Sequence, residues 1–418
     1  MTHDTIVLGA GMVGTSVAYH LARRGRSVAL VDRQLPGQAT SFGNAGIIQR
    51  EAVQPHPFPR DIGTLMRVLP NRRIDIRYRP KGMAASAGPL WQYWRHSAPA
   101  RYAAIVNEYA TLIRHCTREH EVMIEASGAE SLVCKTGWLE GFRSPPVFDE
   151  VLANARTLER CFGVTHEVLD QRALGNAEPH LADELIGAVH WTNAWTVRDP
   201  GALVQSYARA FAGLGGAIEH TEAQRLDPTA NGWRLMTRDG RLEACDVVIA
   251  AGPWSLQWLE PLGYRLPLFP KRGYHMHYAL RKGARLYHWL MDFESGYLLA
   301  PMQNGVRLTT GAELSTLDAP IRTGQLEAAE AVARRLAPLG ERLDAEPWRG
   351  DRPCMPDMKP VIGSAPRHGG LWFALGHGHQ GFTLGPVTGR LLGEMMSGEP
   401  TLVDMTPFRP ERFGGAGR

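Results

Sequence analysis

The chain has 418 residues, enough for two domains with large cores, and its formal net charge of +4 comes with no block of Lys or Arg, which argues against a nucleic-acid partner. The five cysteines, Cys116, Cys134, Cys161, Cys245 and Cys354, are scattered, odd in number and without a CxxC pair, which argues against a disulfide framework and a structural zinc and points to a reducing compartment. No apolar run reaches the roughly 18 residues of a membrane span, and the first predicted strand starts too near Met1 for a leader, so a cytoplasmic protein is expected, with peripheral contact at the inner face of the membrane compatible with it.

Residues 5–32, TIVLGAGMVGTSVAYHLARRGRSVALVD, read as strand, turn, helix and strand. Ile6, Val7 and Leu8 run into Gly9, Gly11 and Gly14. Val17, Ala18, Leu21 and Ala22 then share one helical face, Gly25 stops the helix, and Val28–Val31 lead to Asp32. Gly9 permits the tight turn, Gly11 lets a pyrophosphate approach the backbone, and Gly14 lets the helix pack against the strand. The helix N-terminus attracts phosphate, and Asp32 can accept from a ribose hydroxyl. A lone GxGxxG is weak evidence; set between strand and helix, with an acid about 20 residues on, it predicts a dinucleotide site.

Residues 33–60 lack a helical period and are rich in Gly, Pro, Ser, Asn and Gln, so they read as an extended loop covering a long cofactor, with Ser41, Asn44 and Gly46 available to a ring edge. Residues 86–127 read as helical, with Trp91, Trp94, Tyr102, Ile105, Tyr109 and Leu112 as core. Residues 131–142 read as a strand or hairpin, 146–161 as a helix and 187–200 as extended. This shift to separate strands and helices suggests an inserted second domain. From Gly201 the first domain resumes with a helix, a glycine stop and a strand. DVVIAAGPWS (246–255) is a buried strand whose small terminal residues, Ala250, Ala251 and Gly252, let a ligand lie on the backbone. Strands follow at 271–280 and 296–314, then a helix at 323–338 and a Pro-rich irregular segment at 350–363. Residues 371–398 close the pattern with a strand, a glycine loop and a terminal helix.

In order and spacing, GAGMVG with Asp32, TSFGNAG (40–46), VVIAAGPWS, RPCMPD (352–357) and GHGHQGFTLGP (376–386) resemble the FAD-dependent D-amino acid oxidase superfamily over nearly the whole chain, most closely its bacterial D-amino-acid dehydrogenase branch of the small-subunit type. The resemblance implies an α/β plus α+β fold. A discontinuous Rossmann-like FAD-binding domain (1–85, 196–264 and 350–418) would carry an inserted mixed β-sheet substrate domain (86–195 and 265–349). It implies that FAD is held by Gly9, Gly11, Met12, Val13, Gly14, Asp32, Arg33, Ser41, Asn44, Ala45, Gly46, Ala223, Ala251, Gly252, Gly378, His379, Gly381, Phe382 and Thr383. Cys354 stands closer to its Pro-Asp pair than the flavin-linking cysteine of some amine oxidases does, so the FAD is expected to be non-covalent.

The implied reaction is oxidative deamination of a D-amino acid by hydride transfer from its α carbon to flavin N5, giving an imino acid and then a 2-oxo acid. Arg352 would hold the substrate carboxylate through two parallel hydrogen bonds, and Tyr297 would add a hydroxyl. Glycine, sarcosine or a cyclic amino acid such as D-proline or hydroxyproline would use the same pair, whereas a non-catalytic flavin-carrying subunit would need neither. His275 and His379 are weaker candidates for the substrate pocket. As i, i+2 pairs without a third ligand, His275 with His277 and His377 with His379 carry no metal signature. Oxygen, a quinone and a partner flavoprotein are all open as electron acceptor.

Overall fold

The computed structural model describes residues 2–414. Ile6, Val7, Leu8 and the run Val28–Val31 are buried, as parallel strands covered on both faces require. Thr2–Leu8 pairs in parallel with Val28–Asp32, which pairs with Ala217–His220 at its far edge; Gly240–Ile249 lies on the other side of Thr2–Leu8. Gly240–Ile249 is long because it serves further neighbours. Its first half pairs antiparallel with Gly232–Thr237, and its second half pairs in parallel with Leu371–Leu375. With Ala223–Thr229 and Val361–Ser364 these form a sheet of eight strands. Helices Met12–Ala22, Cys116–Ser127, Pro200–Gly213 and Gly381–Met396 pack on one another over one face. A cluster around Trp233, Leu235, Trp258 and Phe373 fills the other.

A second sheet of eleven strands is organised around Phe269–Leu280. That strand pairs antiparallel with Trp348–Cys354 and with Gly305–Thr310, which in turn pairs with Tyr297–Met302. Helix Gly324–Leu336 closes its outer face over a separate core. Ile47–Ile48, from the predicted loop, joins Trp195–Val197 and Val133–Cys134 in a small third sheet.

Three expectations are corrected. Residues 350–363 are irregular only at 355–360: Trp348–Cys354 and Val361–Ser364 are strands, and Pro353 is tolerated because, apart from a single bridge from Cys354 to His377, its strand is paired along one side. Residues 86–127 are helical as read, in three helices, Ala87–His96, Pro99–Ile113 and Cys116–Ser127, with Pro99, which lacks an N–H, opening the second; what changes is the core assigned to them. Tyr109 and Leu112 are core, but Trp91 and Trp94 are 57% and 39% exposed. Finally, Ile76–Tyr78 and Trp348–Cys354 are hydrogen-bonded into the larger sheet, so the cofactor-side boundaries drawn at 85 and 350 cut across it.

Candidate active site

The carboxyl ends of the parallel strands and the inner face of the larger sheet enclose a cavity of about 750 Å³, within the range of small-molecule sites. Gly9, Gly11, Met12, Val13, Asp32, Arg33 and Ala223 line it around the nucleotide motif. Ser41, Asn44, Ala45, Ala251 and Gly252 line its middle, and Gly378, His379, Gly381, Phe382 and Arg352 line its far part. Gly14, Gly46 and Thr383 stand behind the wall. A side chain at Gly14 would strike the Gly9 carbonyl, so its role is helix-to-strand packing. Gly9 itself, at φ +113°, lies in the region that glycine alone adopts freely.

The turn and the loop are tied together by hydrogen bonds. Asp32 accepts from Ala10 N–H at 2.7 Å and from Gln34 N–H at 2.9 Å, which fixes its carboxylate at the strand end. The Arg33 guanidinium stacks over Trp254 at 4.9 Å. Ser41 Oγ accepts from the Met12 N–H at 3.0 Å, and Asn44 Oδ1 accepts from Gly46 N–H at 2.8 Å. Thr383 Oγ1 accepts from Gln49 N–H at 3.2 Å, joining the terminal helix to the loop.

Two residues beyond the sequence reading complete this region. Arg307, 4% exposed, donates to the carbonyls of Phe42 at 3.0 Å and Asn44 at 2.6 Å, clamping the loop from the opposite sheet. Burial pulls its pKa down to about 10, so it stays cationic. An arginine inside the strand pattern VRLTT signalled a buried charge, but its partners lie some 260 residues away in the chain. Trp348 lines the cavity against Gly43 and Gly350, where any side chain would collide with its ring.

Arg352 lies across Gly273, whose absent side chain makes room for the guanidinium, and donates to Gly311 O at 3.3 Å. The neighbouring acids are committed elsewhere: Asp351 pairs with Arg272, and Asp357 with Arg412. Burial lowers the Arg352 pKa from its usual value, the nearby Asp351 offsetting only part of the effect, and no carboxylate among the described residues forms an ion pair with it. His379 is pushed well below the ordinary histidine range, first by burial and then by the charges of Arg352, His56 and Lys271.

Tyr297 does not belong to this site. Leu298 of the same strand faces the cavity, so alternation turns Tyr297 to the opposite face, where it packs with Leu139, Leu299 and Leu336 near Asp292 and Arg143. Tyr297→Phe is therefore expected to leave kcat/KM within about twofold of wild type, since the hydroxyl touches no cavity; a hundredfold loss in steady-state assays would contradict this placement. His275 is likewise outside the wall, stacked on Trp348 with ring centroids 4.8 Å apart.

Behind Gln49 and Trp138, which line the cavity, Glu51 is buried and its pKa rises to about 7 through desolvation. The folded state thus holds a proton that the unfolded chain releases near pH 4.5, and stability falls as pH rises from there through about 7. Glu51→Gln removes that loss. Relative to wild type, the variant should gain about 2–3 kcal/mol at pH 8 but not at pH 5; a melting difference that is the same at both pH values would contradict the assignment.

A two-sheet architecture that lays a dinucleotide cofactor across strand ends and closes it with a second sheet defines a class of cofactor-dependent oxidoreductases. The family described as FAD dependent oxidoreductase (DAO) matches residues 4–395, and the chain belongs to it. The D-amino acid dehydrogenase of Chromohalobacter salexigens is 28% identical over 419 residues, covering 98% of this chain and 99% of that protein. The D-amino-acid oxidase of Bradyrhizobium diazoefficiens is 30% identical over 423 residues, covering 97% and 98%. The crystal structure of glycine oxidase from Geobacillus kaustophilus has the same fold, with a TM-score of 0.72 at 22% identity and 98% of each chain covered. FAD is the cofactor of this family, and the residues present fit it. The cavity runs from Asp32 to Arg352, the N-terminus of helix Met12–Ala22 opens into it, and a Cβ at Gly252 would project into open space.

Proposed function

We propose that this enzyme oxidises the α carbon of a D-amino acid, giving an imino acid that hydrolyses to a 2-oxo acid. The observation that carries the reading is Arg352: a guanidinium that forms no ion pair among the described residues, its neighbour Asp351 being bonded to Arg272, in the wall of the same cavity as the nucleotide motif. FAD, when bound, supplies the two-electron acceptor. Arg352 binds the substrate carboxylate through its planar fork and so sets the direction of the α hydrogen; this positioning is the main contribution of the protein. Gly273 behind it and Gly311 O beside it keep the guanidinium from turning. Neutral His379 supplies no strong base near Arg352, and the substrate amine loses its proton to solvent. The backbone of Gly378–Phe382, where the terminal helix begins, offers N–H groups and the positive end of the helix dipole to an electron-rich edge.

Cys354 supports non-covalent FAD, because it is buried in a cluster with Leu90, Tyr93 and Phe269 outside the cavity wall. The reading is tested by anaerobic addition of D- and L-amino acids, glycine, sarcosine and D-proline to the yellow protein. A D-amino acid should bleach the flavin band; no bleaching by any amine would end the amine-oxidising reading.

Among the described residues no helix is long and apolar enough to cross a membrane. Peripheral contact has candidate residues: Ile62, Met66 and Leu69 are 79%, 62% and 63% exposed, and so are Trp91 and Trp94 in part, with Arg95 stacked over Trp91 and Arg60, two residues before Ile62, over Trp94. Apolar side chains flanked by Trp and Arg suit the interface of an anionic bilayer, and a quinone dissolved there is the acceptor such contact would favour. The protein should pellet with vesicles of anionic phospholipid, and Ile62→Glu with Leu69→Glu should release it; wild type remaining in the supernatant would contradict the contact.

A further inference from the structure

Arg352 is not the only cation without a counter-charge in this part of the molecule. In the antiparallel pair of strands Phe269–Leu280 and Trp348–Cys354, Lys271 stands directly opposite Arg352, so both side chains leave the same face of the sheet. The next positions on that face are Gly273 opposite Gly350 and His275 opposite Trp348; Gly273, Gly350, Trp348 and Arg352 line the cavity, and half-buried Lys271 stands just outside its wall, near the lining residue His379. Among the described residues no carboxylate pairs with the Lys271 ammonium. It donates to Tyr93 Oη at 3.2 Å and sits over the Tyr93 ring at 4.3 Å and the Phe269 ring at 5.6 Å. Tyr93 in turn donates to the carbonyl of His56, whose ring meets that of His379 edge-on at 5.4 Å. The aromatic contacts hold the ammonium in place but leave its charge uncompensated. Burial works against that charge, yet the Lys271 pKa stays above the ordinary lysine value, so the ammonium is protonated.

One carboxylate on Arg352 neutralises one of two adjacent cations. The reacting amine must be neutral and cannot supply the second negative charge. We infer that Lys271 binds a second anionic group of the substrate, which makes the enzyme selective for amino acids with two carboxylates, either acidic D-amino acids or amino acids carrying a carboxyalkyl group on nitrogen. The inference rests on the reading of Arg352 as the α-carboxylate anchor and adds the substrate class. Lys271 acts as a specificity residue: it attracts the far carboxylate to the part of the wall formed by His379, and the α-carboxylate remains with Arg352.

The test uses the FAD-loaded protein and two readouts. In anaerobic reduction, D-aspartate or D-glutamate should exceed D-alanine and D-leucine in kcat/KM by about tenfold or more, and Lys271→Met should lower the acidic substrates about 10²-fold while leaving the neutral ones within about threefold. Lys271→Arg, which keeps the charge, should retain the preference and shows that any loss in the Met variant is not misfolding. In the second readout, succinate should perturb the flavin absorption of wild type at lower concentration than propionate, and Lys271→Met should erase that difference. Equal loss for acidic and neutral substrates, or a wild type that prefers neutral ones, overturns the role of Lys271 and leaves the amine-oxidising reading intact. Reduction by no amino acid at all would instead strike that reading itself.

Discussion

Arg352→Ala is expected to lower kcat/KM about 10³-fold, roughly 4 kcal/mol of transition-state binding, while the purified protein keeps its full complement of flavin. The loss has two parts. Removing the guanidinium deletes a charge-assisted, two-point contact to the carboxylate, and it frees the substrate to rotate away from the orientation that hydride transfer needs. Arg352→Lys separates them: it restores charge but not the fork, and should recover about a tenth of the missing activity. Stopped-flow reduction under anaerobic conditions reads both. A variant that instead loses flavin would make Arg352 a structural residue, packed on Gly273 for stability alone.

Gly14→Val is expected to abolish cofactor retention. Its side chain would enter the Gly9 carbonyl and crowd Ala250, so the helix must lift from the strand that carries the turn. Overpacking against backbone costs about 3 kcal/mol, or about 3–4 °C of melting temperature in a chain of this size. The displaced helix N-terminus would also carry its N–H groups away from the cavity, so the variant should purify colourless and melt early. Stoichiometric flavin with an unchanged melting temperature would show that the turn tolerates a side chain and that the local packing described here is wrong.

The nucleotide half of the site was legible because its signals are local. Gly9, Gly11, Gly14 and Asp32 lie within one strand, helix and strand, and each is required by a backbone constraint a few residues away. Arg352 was legible through a longer pattern, RPCMPD, whose arginine faces the cavity. Tyr297 was assigned through the resemblance, and a motif match does not fix which face of a strand a side chain takes, since one residue of shift exchanges the faces. Leu298, not Tyr297, took the inward position. Pro353 hid an edge strand, since proline reads as a break until the unpaired side is known. Arg307 and Lys271 escaped notice for a different reason. Their meaning comes from neighbours brought in by the fold, the Phe42 and Asn44 carbonyls for one and Arg352 across the strand pair for the other. Trp91 and Trp94 had the spacing of a helix face, yet that face turned to solvent with arginines stacked upon it.

The account turns on an amino acid being held at Arg352 with its α hydrogen delivered to the bound cofactor. The most direct measurement is anaerobic single-turnover reduction of the FAD-loaded enzyme by a D-amino acid and by the same compound deuterated at the α carbon. The account predicts complete bleaching of the flavin band, slowed by α-deuteration and slowed much further by Arg352→Ala. Reduction that is indifferent to the α deuterium and to Arg352, or no reduction by any amino acid, would contradict it.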